Sequence, residues 1–357
     1  MARGRAAALW YVGRMDSLTQ IALGSAVSIA ALGRRTAVWK AALWGAVAGT
    51  LPDLDTFIDH GDAIANMVLH RAESHSLLYL SLLSLPLGGL VARLHGETAL
   101  WRRWWLAMWL ALVTHPLLDW MTVYGTQLLR PFDDTPLGVG SIFIIDPLYT
   151  LPLLAGVLLA LLLRGGRGLR WNGWALGVST AYLAWSFAAQ QSVAGVARTA
   201  LAARGVQAER VLLTPTPLNT LLWRVVAVTP TQYLEGFYAL ADGGRPMQWT
   251  EHPRGAELIA RYGQHPQVQR VAHFSRGFWR LWQDDAGHIH VTDLRMGQEP
   301  AYSFDFDLGP AAAVAQGGGS VVQQPMRIDV ATALPALGRR LLGHGGGSGP
   351  FGAQPAP

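Results

Sequence analysis

The sequence contains no cysteine and few charged residues. Asp, Glu, Lys and Arg together make up 14% of its 357 residues, and 51% are hydrophobic. The absence of thiols excludes disulfide bonds and thiolate metal sites. A soluble domain of average composition is about one quarter charged. The composition therefore indicates a membrane protein, or a protein of which one half is embedded in a membrane.

Acidic residues are scarcer than basic ones, 23 against 28, which gives a formal net charge of +5. The basic residues are spread over short loops and form no basic stripe, so we expect no nucleic-acid partner. Many of the 15 tryptophans lie near the ends of apolar segments, as is typical of a membrane interface. The lipid bilayer is the expected partner, and a protein partner is not identified.

Six apolar runs occupy the first half of the chain. Several approach the ~20 residues that a spanning helix needs, and the first two are short enough to be tilted, re-entrant or packed inside a bundle. The expected fold is mainly α, a multi-span transmembrane bundle of about six helices. The runs lie at about 17–33, 36–51, 76–94, 98–118, 145–163 and 172–190.

The second half of the chain differs in character. Alternating apolar and polar residues predict a small antiparallel, β-rich α+β domain at 205–310, with a hairpin turn at 283–287. From residue 311 to 357 Ala, Gly and Pro dominate, and we expect a disordered tail. Residues 1–14 are interpreted as an extension, since Met15 offers a second start. The transmembrane helical domain is then 15–192.

Basic connections between the apolar runs predict the orientation. If all six runs cross, three Arg-rich or Lys-rich connections lie on one side, which the positive-inside rule makes cytoplasmic. The other side receives 52–75, 115–145 and everything after 191. We therefore expect a multi-pass membrane protein with its polar motifs and C-terminal domain on the face opposite the cytoplasm, which is the periplasmic face if the membrane is a bacterial inner membrane. The basic connections contain Arg34, Arg35, Lys40, Arg93, Arg102, Arg103, Arg164, Arg167 and Arg170.

Three polar motifs adjoin these apolar runs. Ionisable groups are costly at membrane depth, so their recurrence there predicts a functional site. Imidazole and carboxylate groups without thiolates suit zinc, manganese or a similar divalent ion. The motifs contain Asp53 and Asp55, His70 and His75, and His115 and Asp119.

Each motif also has an ordinary structural interpretation. His115 and Asp119 share a helix face at a spacing of four, although Pro116 favours a first turn or a kink; a hydrogen-bonded helix end is the alternative. Asp53 and Asp55 would point the same way in an extended segment, whereas the alternative is a turn or a helix cap.

The segment from His70 to His75 is predicted to be a turn leading into a helix, with Ser74 as N-cap. A solvated interfacial loop is the alternative. Arg71 can pair with a carboxylate ligand or clamp a substrate phosphate. Glu73, like Asp55, is a candidate general base, and the alternative for Glu73 is an exposed charge.

Four motifs in order resemble the membrane-bound metal-dependent hydrolase family, which includes the LexA-binding inner-membrane proteins. They are Met15-Asp16-Ser17-Leu18-Thr19-Gln20, Leu51-Pro52-Asp53-Leu54-Asp55, His70-Arg71-x-x-Ser74-His75-Ser76 and Thr114-His115-Pro116-Leu117-Leu118-Asp119. The resemblance covers roughly residues 15–190. It implies a bacterial inner-membrane hydrolase with Asp53, His70, His75, His115 and Asp119 as metal ligands.

The leading functional hypothesis is a metal-dependent hydrolase of the inner membrane. One or two ions would activate water to attack an ester or phosphoester, in a lipid-like substrate, with Asp55, Glu73 and Arg71 as catalytic residues. The alternative is a non-catalytic scaffold or regulator with a structural or sensory metal site. A transporter is a third hypothesis, but ligands at segment ends favour it less.

Overall fold

The computed structural model of the chain describes residues 3–163, 166–326 and 330–343, without the side chains of 3–16 and 330. The chain divides into two compact units. The N-terminal unit comprises Met1–Asp59, Leu69–Val139 and Ile144–Trp185. The C-terminal unit comprises His60–Val68, Gly140–Phe143 and Ser186–Pro357.

Helices form the first half of the chain, and five of them contribute residues to a buried core. This core holds Ile29, Leu80, Trp104 and Leu112, all at most 4% exposed. Short 3₁₀ helices lie at Pro52–Phe57, Glu73–His75 and Thr98–Leu100. The α-helices are α1 (Arg3–Leu32), α2 (Val38–Thr50), α3 (Ala63–Leu69), α4 (Leu77–Leu94), α5 (Trp101–Met121), α6 (Pro147–Leu162) and α7 (Arg167–Ala203).

Glycines allow α1 and α2 to touch through their backbones. A Cβ atom added at Gly24 would lie 2.2 Å from the carbonyl oxygen of Gly45. One added at Gly49 would lie 2.6 Å from the carbonyl oxygen of Gln20. Since no side chain fits between the helices, the end of α2 is held directly against α1. This crossing fixes the position from which the Asp53 segment departs.

The predicted six-span bundle is wrong. Within the described residues, α4 is the one helix long and apolar enough to cross a membrane, and 28% of it is buried. Helix α2 has 13 residues and α6 has 16, which is short of the ~20 that a span needs. Counting apolar runs overestimated the spans because Trp, Pro, His and Asp interrupt α5 and because turns shorten the neighbouring helices.

Antiparallel strands build the C-terminal unit, so the chain as a whole is mixed α and β. One four-stranded sheet has the order β1-β2-β3-β4 and another the order β10-β9-β6-β5. The predicted hairpin is confirmed, since Gln283 in β5 pairs with Ile289 in β6. The strands of these sheets are β1 (Arg210–Pro215), β2 (Leu222–Val228), β3 (Gln232–Ala239), β4 (Trp249–Pro253), β5 (Trp279–Gln283), β6 (His288–Asp293), β9 (Asp305–Pro310) and β10 (Val322–Gln323).

Smaller elements complete this unit. Strands β7 and β8 pair with each other as a two-stranded ribbon. On the strands and helices Val226, Val228, Val268 and Val271 are fully buried. The remaining elements are β7 (Gly297–Gln298), β8 (Ala301–Tyr302), a 3₁₀ helix at Leu240–Asp242, and helices α8 (Ala256–Tyr262), α9 (Pro266–Phe274), α10 (Ala311–Ala315) and α11 (Val330–Leu341).

The disordered tail predicted from residue 311 is wrong for the described residues. Helices α10 and α11 and strand β10 lie in this stretch. Leu337 of α11 joins a core cluster with Leu222 and Phe237, and Arg340 donates to both carboxylate oxygens of Asp242, at 2.8 and 2.6 Å. The tail therefore buries enough surface to fold. Residues 344–357 lie outside the described residues.

The predicted domain limits remain predictions. Residue 192, the expected end of the first domain, lies within α7, which supplies residues to both units. The N-terminal extension 1–14 forms the beginning of α1 from Arg3, and residues 1–2 lie outside the described residues.

Candidate metal centre

Two 3₁₀ helices and α5 position the polar motifs in the N-terminal unit. Asp53 and Asp55 lie in the 3₁₀ helix that follows Pro52, so the extended segment considered for them is not formed. His75 ends the 3₁₀ helix Glu73–His75, and Ser76, rather than Ser74, caps α4 by accepting from the Tyr79 amide at 3.3 Å.

Four side chains from these elements converge on one point. Asp53, His75, His115 and Asp119 each offer one ligand atom, and these atoms all lie within 4.8 Å of one another. His115 and Asp119 share a face of α5, as their spacing predicts, with 3.3 Å between Nε2 and Oδ2. Three of the side chains are at most 1% exposed, and that of Asp53 is 18% exposed. The group is therefore buried and opens at Asp53.

The separations within the group suit a single ion. The Nε2 atoms of His75 and His115 are 3.1 Å apart, and each lies 3.3 or 3.4 Å from Asp53 Oδ1. Asp119 Oδ2 is 3.1 Å from His75 Nε2. Four ligand atoms about 2.1 Å from one ion stand about 3.4 Å apart when they form a tetrahedron. The measured separations are close to that value.

Hydrogen bonds on the far side of each imidazole fix its tautomer. His115 Nδ1 lies 2.6 Å from the carbonyl oxygen of Gly49, which can only accept, so Nδ1 carries a hydrogen. Ser74 donates to Asp55 at 2.5 Å and therefore accepts from His75 Nδ1 at 2.9 Å. Both Nε2 atoms are left as ligands, the usual arrangement behind a metal-binding histidine.

The carboxylates are arranged in the same way. Gln20 donates to Asp119 Oδ1 at 3.1 Å, and Arg71 lies 3.3 Å from the same atom. Asp119 Oδ2 and Asp53 Oδ1 are buried and make no hydrogen bond. Two unbonded carboxylate oxygens facing two imidazole lone pairs would repel one another, whereas a cation between them satisfies all four. The donor set thus fits a divalent metal ion.

Electrostatics keep the acidic groups ionised. When no cation is bound, the imidazoles carry protons in its place; burial would raise the pKa of Asp53, but the protonated imidazoles of His115 and His75 then hold it well below its usual value. Burial acts on Asp55 in the same direction, and its bonds with His70 and Ser74 lower the pKa overall. Both carboxylates are therefore negatively charged at neutral pH and available to a cation.

The other predicted site residues surround the group rather than join it. His70 Nδ1 lies 2.8 Å from Asp55 Oδ1, and His70 is outside the group of four. Asp55 Oδ2 also accepts from the Arg71 amide at 3.0 Å. Arg71 is 2% exposed and adopts a positive φ of 63°. Glu73 is 58% exposed, with Arg130 3.5 Å away, and is outside the group of four.

Sequence reasoning missed Gln20 as a site residue. It belongs to the first of the four family motifs but received no role in the site. Gln20 is 1% exposed, donates to Asp119 and keeps its Oε1 without a hydrogen bond. A polar amide within an apolar run was the available signal, because such a group needs a polar partner when it is buried.

Fold and site together define a protein with a helical first half that carries a buried His/Asp group able to hold a metal ion. Residues 15–193 match the family of YdjM inner membrane proteins, and the chain belongs to this family. The predicted inner-membrane resemblance is confirmed at that level, and the protein is an inner-membrane protein. In the described part of the chain one candidate span replaces the multi-pass arrangement, and the periplasmic orientation stays a prediction.

One curated relative is itself uncharacterised. The chain is 29% identical over 149 residues to the protein YfhP of Bacillus subtilis (strain 168), a match that covers 40% of this chain. The chain spans 45% of the length of that relative. No solved structure matches the chain.

Proposed function

We propose that the protein is a metal-dependent hydrolase of the inner membrane that cleaves an ester or phosphoester in a lipid-like substrate. The observation that carries this proposal is the convergence of two imidazole nitrogens with two carboxylate oxygens that make no hydrogen bond. Asp53, His75, His115 and Asp119 would hold one ion, zinc or manganese. A bound ion of this kind acidifies coordinated water and polarises the scissile group.

His70 and Asp55 are the pair best placed to move a proton. Asp55 accepts at both oxygens and orients His70 through the 2.8 Å contact. His70 is 22% exposed, so its ring can reach a substrate beside the buried ligands. The base is therefore His70, with Asp55 holding its tautomer, and Glu73 faces solvent instead.

Arg71 supplies positive charge beside the ligands. Its guanidinium lies 3.3 Å from Asp119 and 5.1 Å from the centre of the Tyr124 ring. Buried between these groups, it cannot move freely and presents a fixed positive charge. This arrangement favours a substrate that gains negative charge in the transition state, such as a phosphoester.

Metal content is the first test of this proposal. Full-length protein purified in detergent, with zinc and manganese resupplied, should contain about one ion per chain by mass spectrometry, as four ligands of this type imply. His75→Ala and His115→Ala should both lose the ion, whereas His288→Ala in the C-terminal unit should retain it. Wild-type protein without an ion after resupply would exclude the mechanism.

Measurements of hydrolysis distinguish the metal ligands from the proton-transfer pair His70 and Asp55. His70→Gln should keep the ion but lose hydrolysis in a screen of phosphodiester and carboxylester substrates. If His70→Gln loses the ion as readily as His75→Ala, then His70 is a ligand and the assignment of the base is wrong.

The number of ligands supports a second function, a scaffold or regulator with a structural or sensory metal. Four protein ligands complete the coordination of a structural zinc ion, whereas catalytic zinc commonly keeps three and a water. Cobalt(II) substitution distinguishes the two. An open position predicts a change in the visible spectrum on adding azide, and a closed site predicts none.

A further inference from the structure

Two phenylalanines beside the metal centre are exposed to an unusual degree. Phe57 is 85% exposed and Phe132 84%, more than any other large apolar side chain described. Leu54, Ile58 and Leu129 are 52%, 56% and 48% exposed. We call these five residues the apolar collar. Exposed apolar groups of this extent mark a surface that contacts another apolar phase.

The chain places the collar at the opening of the site. Leu54 separates Asp53 from Asp55, and Phe57 and Ile58 follow within the same segment. Hydrogen bonds bring the second half of the collar alongside the ligand loop. The Gln127 amide donates to the Arg71 carbonyl at 3.0 Å. The Ser76 hydroxyl, next to His75, donates to the Arg130 carbonyl at 2.6 Å.

The collar is also continuous with the surface that lipid would cover. The candidate span α4 begins at Leu77, whose amide donates to the Leu128 carbonyl at 3.1 Å. The helix itself is mostly unburied, and Leu82 is 56% exposed. A helix whose apolar side chains face outward in an inner-membrane protein is solvated by acyl chains. The collar thus lies at one end of a lipid-facing helix.

Polar groups at the rim fit the level of the lipid headgroups. Glu73 is 58% exposed and Arg130 is 24% exposed, with 3.5 Å between Oε1 and Nη1. Long charged side chains of this kind reach from the acyl boundary to water. A collar of apolar residues next to such a pair matches the transition from acyl chains to headgroups.

We propose that the apolar collar inserts into the acyl region of the bilayer, just below the headgroups, and holds an acyl chain of the substrate beside the Asp53 opening. The occupant is therefore bilayer lipid, and the substrate class is an acyl-bearing amphiphile that enters sideways from the membrane. The substrate half of this inference rests on the proposed hydrolase function. The position of the collar in lipid does not.

Single-cysteine labelling tests the position, because the chain has no native cysteine. Phe57→Cys and Phe132→Cys would each carry an environment-sensitive nitrobenzoxadiazole dye in full-length protein reconstituted into phosphatidylcholine nanodiscs. Asp285→Cys, in the exposed turn of the β5–β6 hairpin, is the matched control. Both collar positions contact almost nothing in the protein, so replacement is expected to leave the fold intact.

If the collar contacts lipid, both collar dyes in nanodiscs should emit at a shorter wavelength than the same dye in aqueous buffer without detergent. It also predicts strong quenching by doxyl-labelled lipid and weak quenching by aqueous iodide. The control dye should show the reverse. Collar dyes that iodide quenches as strongly as it quenches the control would overturn the proposal. So would dyes shielded from both quenchers, since that result identifies a protein partner or a second copy.

The substrate half has its own readout. Phe57→Ser combined with Phe132→Ser should raise KM for a long-chain ester by a larger factor than KM for a short, water-soluble ester. An equal loss on both substrates would overturn the acyl-binding role. Absence of hydrolysis by the metal-loaded wild type would instead count against the proposed function, and the quenching result would still decide where the collar lies.

Discussion

The two units of this chain hold the same residue types in two different arrangements. In the N-terminal unit, two His and two Asp side chains turn their ligand atoms toward one point. In the C-terminal unit, His288 pairs with Asp307 at 2.9 Å, and His290 lies 3.5 Å from Asp284 and 3.8 Å from Asp305. Within the described residues, only the first group converges closely enough to hold an ion.

The backbone explains this difference. Strands β6 and β9 spread these side chains along a ladder, where His288 meets Asp307 diagonally and His290 meets Asp305 diagonally. The two 3₁₀ helices Pro52–Phe57 and Glu73–His75 and helix α5 instead bring their side chains to one centre. Residue composition alone therefore does not distinguish a metal site from a row of ion pairs. The difference lies in whether the backbone elements bring their side chains to one point or spread them along a ladder.

Removing the metal should give the largest contrast between the units. Binding of an ion stabilises the folded state, by about 4 kcal/mol when the free ion is 1,000-fold above its Kd. We expect a chelator to increase hydrogen exchange in the segments at Pro52–Phe57 and Glu73–His75. Strand β6 should be unaffected. Equal protection in all three segments before and after chelation would contradict the assignment of the ion to the N-terminal unit.

Loss of the outer contacts should have a smaller effect. Gln20→Ala removes the donor to Asp119, and Ser74→Ala removes the acceptor that fixes the His75 tautomer. Each change should weaken metal binding by about 10-fold to 100-fold, the range for groups behind a metal ligand. Competition with a chromophoric chelator measures this directly. Asp284→Ala in the C-terminal unit is the control, and an equal effect there would indicate general destabilisation.

The close crossing of α1 and α2 can be tested with a pair of glycines. Gly49→Ala would force the Gln20 carbonyl to move, which should cost about 1–3 kcal/mol and weaken metal binding, because His115 bonds to the Gly49 carbonyl. Gly89→Ala in α4 meets no atom within 4 Å and should stabilise the helix by about 0.5–1 kcal/mol. Thermal unfolding compares the two. Equal unfolding midpoints for the two variants would show that the crossing of α1 and α2 tolerates an added methyl group.

The candidate site was more predictable from sequence than the fold. Ligand chemistry follows from residue type, and the spacing of His115 and Asp119 placed both on one helix face. What the sequence did not reveal is that Asp53 and Asp55 diverge, because a 3₁₀ turn rather than an extended segment follows Pro52. The same turn places Asp55 beside His70, and His70 therefore pairs with Asp55 and stays outside the ligand group.

The fold required information that local pattern does not carry. The apolar runs in α2 and α6 pack inside or against the N-terminal unit and are too short to span a membrane. Hydropathy does not distinguish an apolar helix packed in this way from a membrane-spanning helix. In the tail, Arg340 finds Asp242 almost a hundred residues earlier in the chain. The low-complexity sequence around α11 gave no sign of this contact. An amphipathic helix is stabilised mainly by packing against the rest of the protein, which local sequence does not show.

The pH dependence of His290 in the C-terminal unit should give the smallest effect. Burial would lower the pKa of His290, but the carboxylates of Asp305, Asp307 and Asp284 raise it overall. A raised pKa means that the protonated form stabilises the fold. This stabilisation is complete below the unfolded pKa of about 6.5 and is lost as pH rises through the folded value.

We therefore expect strand β6 to lose hydrogen-exchange protection, corrected for intrinsic rates, as pH rises from slightly acid to slightly alkaline values. The effect at His290 should stay below about 1 kcal/mol, the range for pairs that water partly screens. His290→Gln keeps a polar side chain stacked near Trp282 but cannot titrate, so its protection should not depend on pH in this range. A pH dependence that persists in the variant would assign the transition to another group. Loss of protection toward acid pH instead would mean that His290 is neutral in the folded protein, and the His–Asp row would then be held by hydrogen bonds rather than by charge.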